Sequence, residues 1–134
     1  MSSFKRIAAL AMGAAVALGA TMAVAQDMKF FRIGTGAAGA TYFPVGGLIA
    51  NAISAPPGSR PCSEGGACGV PGLVAIAQST NASVANVTGV QNCTMESGIA
   101  SADIVYQAYN GQGQFEKKYD KLRVIANLFP QHLH

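Results

Sequence analysis

The sequence predicts an α/β fold with a mainly parallel sheet. Three observations carry that expectation. Short runs of branched and aromatic residues alternate with stretches of helical periodicity. The first such run is followed by a loop of glycine, alanine and threonine that opens a helix. The second ends in Gln78-Ser79-Thr80-Asn81, again just before a helical stretch. Two strand-to-helix turns of small and polar residues are what parallel βα units need at the carboxyl ends of their strands.

The first 25 residues are read apart from the fold. Lys5 and Arg6 precede an apolar run from Ile7 to Val24, and Ala23-Val24-Ala25 puts small side chains where a signal peptidase reads. This is the pattern of a secretory signal peptide cleaved before Gln26. A membrane anchor is the competing reading, since the run nearly spans a bilayer on length. Its Ala/Gly-rich make-up is only weakly hydrophobic, which favours the leader. Removing 25 of 134 residues leaves 109, with seven of the nine basic side chains facing six acidic ones. A net charge of +1 argues against nucleic acid as a partner, which needs a basic face.

The elements follow in order. Lys29-Phe30-Phe31-Arg32-Ile33-Gly34 is a strand ending at glycine. A helix is expected from Tyr42 to Ile53, with Pro44 in its first turn and Val45, Leu48, Ile49 and Ile53 at helical spacing. Residues 56–71, rich in Pro, Gly and Cys, read as loop. Leu73 to Ala77 is a second strand. A second helix is expected from Ser83, as N-cap, to Met95, with Gly98 ending the segment. Ile99 and Ala100 are expected as a short third strand, and Asp103 opens a helix through Ala108 that Asn110-Gly111 stops. Leu122 to Leu128 is expected as a last strand, closed by Pro130. The absence of a covering helix after it reads as a truncated chain.

Cys62 and Cys68 flank a short Gly-rich stretch, where export makes a disulfide plausible. Two free thiols, or a pairing with Cys93, remain open. A zinc site lacks further Cys or His at ligand spacing, and no metal is expected.

The chemistry-bearing residues are few. Gly34, Gly36 and Gly39 form G-x-G-x-x-G between a strand and a helix. A dinucleotide site also wants an acidic residue about 20 positions on, at the end of the next strand. Only Pro/Gly loop surrounds Arg60, and the next strand ends at Gln78. No cofactor is therefore expected. An exported α/β enzyme using this loop stands as the alternative. The better reading is a cradle for a carboxylate from Thr35, Gly36, Ala37, Thr41 and Tyr42, with backbone N–H groups at a helix start. Gln78, Ser79, Thr80, Asn81, Ser83 and Asn86 cluster similarly after the second strand. The same residues serve equally well for capping and turn bonding. Asp103 is a further candidate, with helix capping as its plain alternative. Asn81, Asn86 and Asn92 also head N-x-[ST] patterns, which read as chance. His132 and His134 have no evident partner, and no Ser lies in G-x-S-x-G. No catalytic residue is expected. Tyr106 and Tyr109 share one helical face and read as packing.

Several of these segments together resemble one family. They are Phe31-Arg32-Ile33-Gly34-Thr35-Gly36, then Thr41-Tyr42-Phe43-Pro44-Val45-Gly46-Gly47-Leu48-Ile49-Ala50-Asn51, then Pro57-Gly58-Ser59-Arg60-Pro61-Cys62 with Cys68-Gly69-Val70-Pro71-Gly72. Ala77-Gln78-Ser79-Thr80-Asn81 with Ser83-Val84-Ala85-Asn86, Asp103 with Ala108-Tyr109-Asn110-Gly111, and Leu122 to Leu128 continue the likeness. The chain resembles the TAXI class of solute-binding subunits of tripartite ATP-independent periplasmic (TRAP) transporters. The resemblance implies a two-domain, type II periplasmic-binding-protein clamshell, of which residues 26–134 are the first part. It implies a periplasmic receptor for a small organic anion or an amino acid such as glutamate, delivered to an integral membrane TRAP permease. It carries Thr35, Gly36, Thr41, Tyr42, Ser79, Asn81, Ser83 and Asn86 as ligand contacts. A fragment that has lost the function is the remaining alternative, because half a clamshell cannot close.

Overall fold

The computed structural model describes residues 27–130. The expected leader, its cleavage point before Gln26, and His132 and His134 lie outside the described residues.

A three-stranded sheet organises the molecule, in the order β4-β1-β5, with every pairing parallel. The central strand β1 (Lys29–Gly34) is followed by helix α1 (Tyr42–Ile53) and a two-residue strand β2 (Ser54–Ala55). A 3-10 turn at Cys62–Glu64 and strand β3 (Val70–Pro71) lead into β4 (Leu73–Gln78). Helix α2 (Ala82–Gln91), strand β5 (Ser97–Gly98) and helix α3 (Ala102–Asn110) complete the order. β2 and β3 form a small parallel pair of their own. In the main sheet, Gly34 pairs with Gln78 on one side and Gly98 on the other, so three strands end level. The loops beyond that row build the site.

Two apolar clusters hold the layers. The first packs Ile33 and Ala75 of the sheet, with Phe31 partly buried, against Tyr42 and Ala50 of α1. The i, i+4, i+8 row Tyr42, Gly46 and Ala50 is the buried stripe of α1. Gly46 is required there: a Cβ would stand 2.5 Å from the Thr35 methyl. Leu48, expected on the inner face, is instead 71% exposed. The apolar side of α1 is therefore narrower than its composition suggests. The second cluster joins Val87, Ala108, Phe115 and Leu122, so α2 and α3 share one core. The loop between α1 and β4 is closed by a disulfide between Cys62 and Cys68, with Cα atoms 4.6 Å apart.

Four expectations need correction. Helix α2 begins at Ala82 rather than at a Ser83 cap, because Thr80 Oγ1 accepts the Ala82 N–H at 3.1 Å. It ends at Gln91 rather than Met95. Asn92 N–H donates to Thr88 O, Thr94 N–H turns back to Gly89 O, and Cys93 sits at φ 57°. The third strand is Ser97–Gly98 rather than Ile99-Ala100. Glu96 sets that register, since it accepts Arg32 N (2.7 Å), Nε (3.0 Å) and Nη2 (2.7 Å) from β1. The bidentate guanidinium holds the Glu96 carboxyl down to about 2. Residues 122–128 form no strand. No described strand pairs with that segment. Leu122 is buried and Phe129 rests 6.1 Å from the Tyr42 ring, while Val124 and Ile125 between them are 77% and 86% exposed.

Candidate functional site

A depression of about 440 Å³ opens beyond the carboxyl ends of β1 and β4. Gly36, Ala37, Ala40, Thr41 and Tyr42 form one wall, and Thr80, Asn81, Ala82 and Ser83 form the other. The two walls are the starts of α1 and α2. Neither first turn carries an acidic side chain, and no lining residue is charged. A helix start leaves its first N–H groups without intrahelical partners and carries a partial positive charge. Two such ends on one uncharged hollow are a setting for a small anion.

Six of the ten residues proposed from sequence, Gly36, Ala37, Thr41, Tyr42, Asn81 and Ser83, line this hollow. Ser79 is exposed beside it, and its hydroxyl donates to Gly36 O at 3.0 Å, tying the two loops together. Asp103 lies exposed on the first turn of α3 and is not among the lining residues. Its carboxyl is held below the usual range, first by the Ser101 hydroxyl and then by the Ile104 N–H. That Ser101 hydroxyl also pairs with Ser83 Oγ at 3.3 Å, and Ser101 N–H donates to Ser83 Oγ at 3.0 Å.

Thr35 and Asn86 sit beneath the hollow rather than in its wall. Thr35 is fully buried and Asn86 is 1% exposed. Asn86 Nδ2 donates to Thr35 O (2.6 Å) and Ile99 O (2.7 Å), which uses both of its hydrogens. The Thr80 hydroxyl contributes a proton shared between Asn86 Oδ1 (2.6 Å) and Thr35 O (2.9 Å). Thr35 Oγ1 donates to Gln78 O at 2.8 Å. These side chains bolt the ends of β1, β4 and β5 together, and their polar atoms are spent on protein partners. Of the two readings of Asn86, ligand contact and local bonding, its geometry fits the second.

The model of the NMT1-like family matches residues 33–134. The chain belongs to the NMT1-like family. Members are solute-binding proteins of the periplasmic-binding-protein type, and the mixed α/β architecture with its parallel sheet agrees. An extracytoplasmic solute-binding role follows at that level.

The glycines of an NMT1-like chain also bear on the dinucleotide alternative. In that motif the third glycine allows close helix–strand packing. Here a Cβ on Gly39 would meet nothing within 4 Å. The close approaches are at Gly34, where a Cβ would stand 2.5 Å from Asn86 Oδ1, and at Gly46 in the helix. The end of β4 offers Gln78, not a carboxylate, for a ribose. The spacing matches a nucleotide fingerprint, but the glycines do different work.

Sequence reasoning passed over Ala40 and Ala82 as lining residues. Their signal was weak, because alanine carries no polar atom and only the fold shows that it faces a hollow. A second depression, of about 490 Å³, runs along the outer side of α2 between Val84 and Met95. It shares Asn81 with the first hollow.

Proposed function

We propose that the protein is a non-enzymatic, periplasmic receptor of the TAXI class. It binds a small carboxylate or an amino acid of glutamate type and delivers it to a TRAP permease. The observation that carries the carboxylate is the pair of helix starts, α1 and α2, facing one hollow with no charged side chain. Such a site holds an anion through backbone N–H groups and small hydroxyl or amide side chains, here Thr41, Asn81 and Ser83. Membership in a solute-binding family supports a binding role, and the TAXI branch rests on the segment resemblance alone.

Thermal unfolding with and without added compounds tests this, since a ligand that binds only the native state raises the midpoint. L-Glutamate, succinate, its neutral diamide succinamide, and NAD are the probes. A rise with glutamate or succinate that a neutral amide analogue does not reproduce is the expected result. Stabilisation by NAD with no response to any carboxylate would overturn it. Uptake into vesicles holding the cognate permease, dependent on this protein and on an ion gradient, tests the delivery step.

A further inference from the structure

We propose that Thr80 is a positioning residue for the cleft, acting through Ala82, which it holds in the left-handed backbone region. The proposal rests on the carboxylate reading above and deepens it.

Ala82, the first residue of α2, has φ +60°. Among the described residues, only Ala82 and Cys93 combine a side chain with positive φ. For an L residue the left-handed conformation is disfavoured by roughly five- to thirtyfold, so something must hold Ala82 there. The Thr80 hydroxyl is placed to do so. Its oxygen accepts the Ala82 N–H at 3.1 Å, while its proton lies between two buried acceptors, Asn86 Oδ1 at 2.6 Å and Thr35 O at 2.9 Å. Thr80 N–H also donates to Gly36 O in the opposite wall, at 3.3 Å. The hydroxyl is therefore anchored from below by buried groups, and it dictates where the Ala82 N–H points. The left-handed residue turns the chain abruptly at the cleft. That turn lets α2 begin in the wall, with Asn81 and Ser83 on either side of Ala82. Without the hydroxyl, Ala82 relaxes to its preferred backbone region, and the wall that Asn81, Ala82 and Ser83 form around the hollow changes shape.

The chemistry supplies a test that separates positioning from mere stability. Glycine populates positive φ about as readily as negative φ. In a Thr80→Val background, Ala82→Gly therefore gives back the left-handed turn without the hydroxyl. If Thr80 only stabilised the fold, added glycine flexibility would make matters worse. The measurements use the purified protein, with L-glutamate and succinate as probes by calorimetry. The intraresidue amide–Hα NOE of residue 82, which is strong only at positive φ, is the second readout.

Thr80→Val is expected to weaken binding by roughly five- to thirtyfold and to lose the strong NOE at Ala82. Thr80→Ser, which keeps the hydroxyl, stays close to wild type. The double variant Thr80→Val/Ala82→Gly recovers most of the affinity. Equal affinity in the single and double valine variants, or a Thr80→Val protein that keeps the strong NOE, would overturn the proposal. If Thr80→Val alone does not fold, the double variant decides: folded and binding supports the proposal, unfolded overturns it. If wild type binds neither probe, the carboxylate reading fails while the NOE still decides whether Thr80 holds Ala82.

Discussion

Replacing Asn86 by Asp tests the bolt beneath the cleft with almost no change of shape. The amide is 1% exposed and donates to Thr35 O and Ile99 O at 2.6 and 2.7 Å. A carboxylate loses both donors and faces two carbonyl oxygens instead. Leaving a buried acceptor unsatisfied costs about 1–3 kcal/mol, and an uncompensated buried charge costs about 3–5. A destabilisation of about 4 kcal/mol at pH 7.5 follows, a large share of the roughly 5–15 kcal/mol typical of a domain. Burial and the two carbonyls also raise the folded-state pKa of the new carboxyl above its unfolded value. The folded state then binds its proton more tightly than the unfolded state does. The variant therefore gains stability as pH falls from the raised pKa toward the unfolded one. Urea unfolding at pH 7.5 and pH 5, with the wild-type difference subtracted, measures both effects. An Asn86→Asp variant within about 1 kcal/mol of wild type at pH 7.5 would refute the bolt. So would a variant that gains nothing relative to wild type on acidification.

Other consequences can be measured alongside. Gly98→Ala puts a Cβ 2.7 Å from Asn86 Cβ, so overpacking should cost about 1–3 kcal/mol by the same urea assay. Glu96→Gln should cost at most about 1 kcal/mol, because the pair with Arg32 is partly exposed, and added salt should shrink the difference. The Glu96 carboxyl is depressed to about 2, so its contribution is complete above the unfolded value near 4.5. That contribution is lost as pH falls from there to 2, and Glu96→Gln should flatten this limb of the stability curve. Reducing the Cys62–Cys68 bond frees a short loop remote from the cleft. It should lower stability by roughly 2 kcal/mol while leaving any carboxylate-induced rise in midpoint intact.

Local chemistry made much of this fold readable. β1 and α1 run over Lys29–Gly34 and Tyr42–Ile53, the spans their own residues predict. Aromatic and branched residues stop at a glycine, and Pro44 pre-sets a first helical turn. α3 stops where Asn110-Gly111 says it should, with Gly111 in the left-handed cap at φ 66°. α2 was harder, because its start is set by Thr80 reaching Ala82, a contact that no helical period encodes. Leu122 to Leu128 carries a strand's composition but lacks a neighbour among the described residues, and composition cannot supply one.

The site divides along the same line. The sequence by itself determined that two small, polar strand ends precede two helices, and that no carboxylate guards either helix start. It also determined the family to which the chain belongs, through residues 33–134. It could not say which polar side chains face a ligand and which hold the scaffold, because Ser, Thr and Asn do both with the same atoms. Tertiary structure made that division. The level ends of β1, β4 and β5 bring Thr35 and Asn86 together underneath, where their donors and acceptors are consumed. Thr41, Asn81 and Ser83 are left in the wall above. Burial, which depends on residues distant in the chain, is what turned similar side chains into different parts.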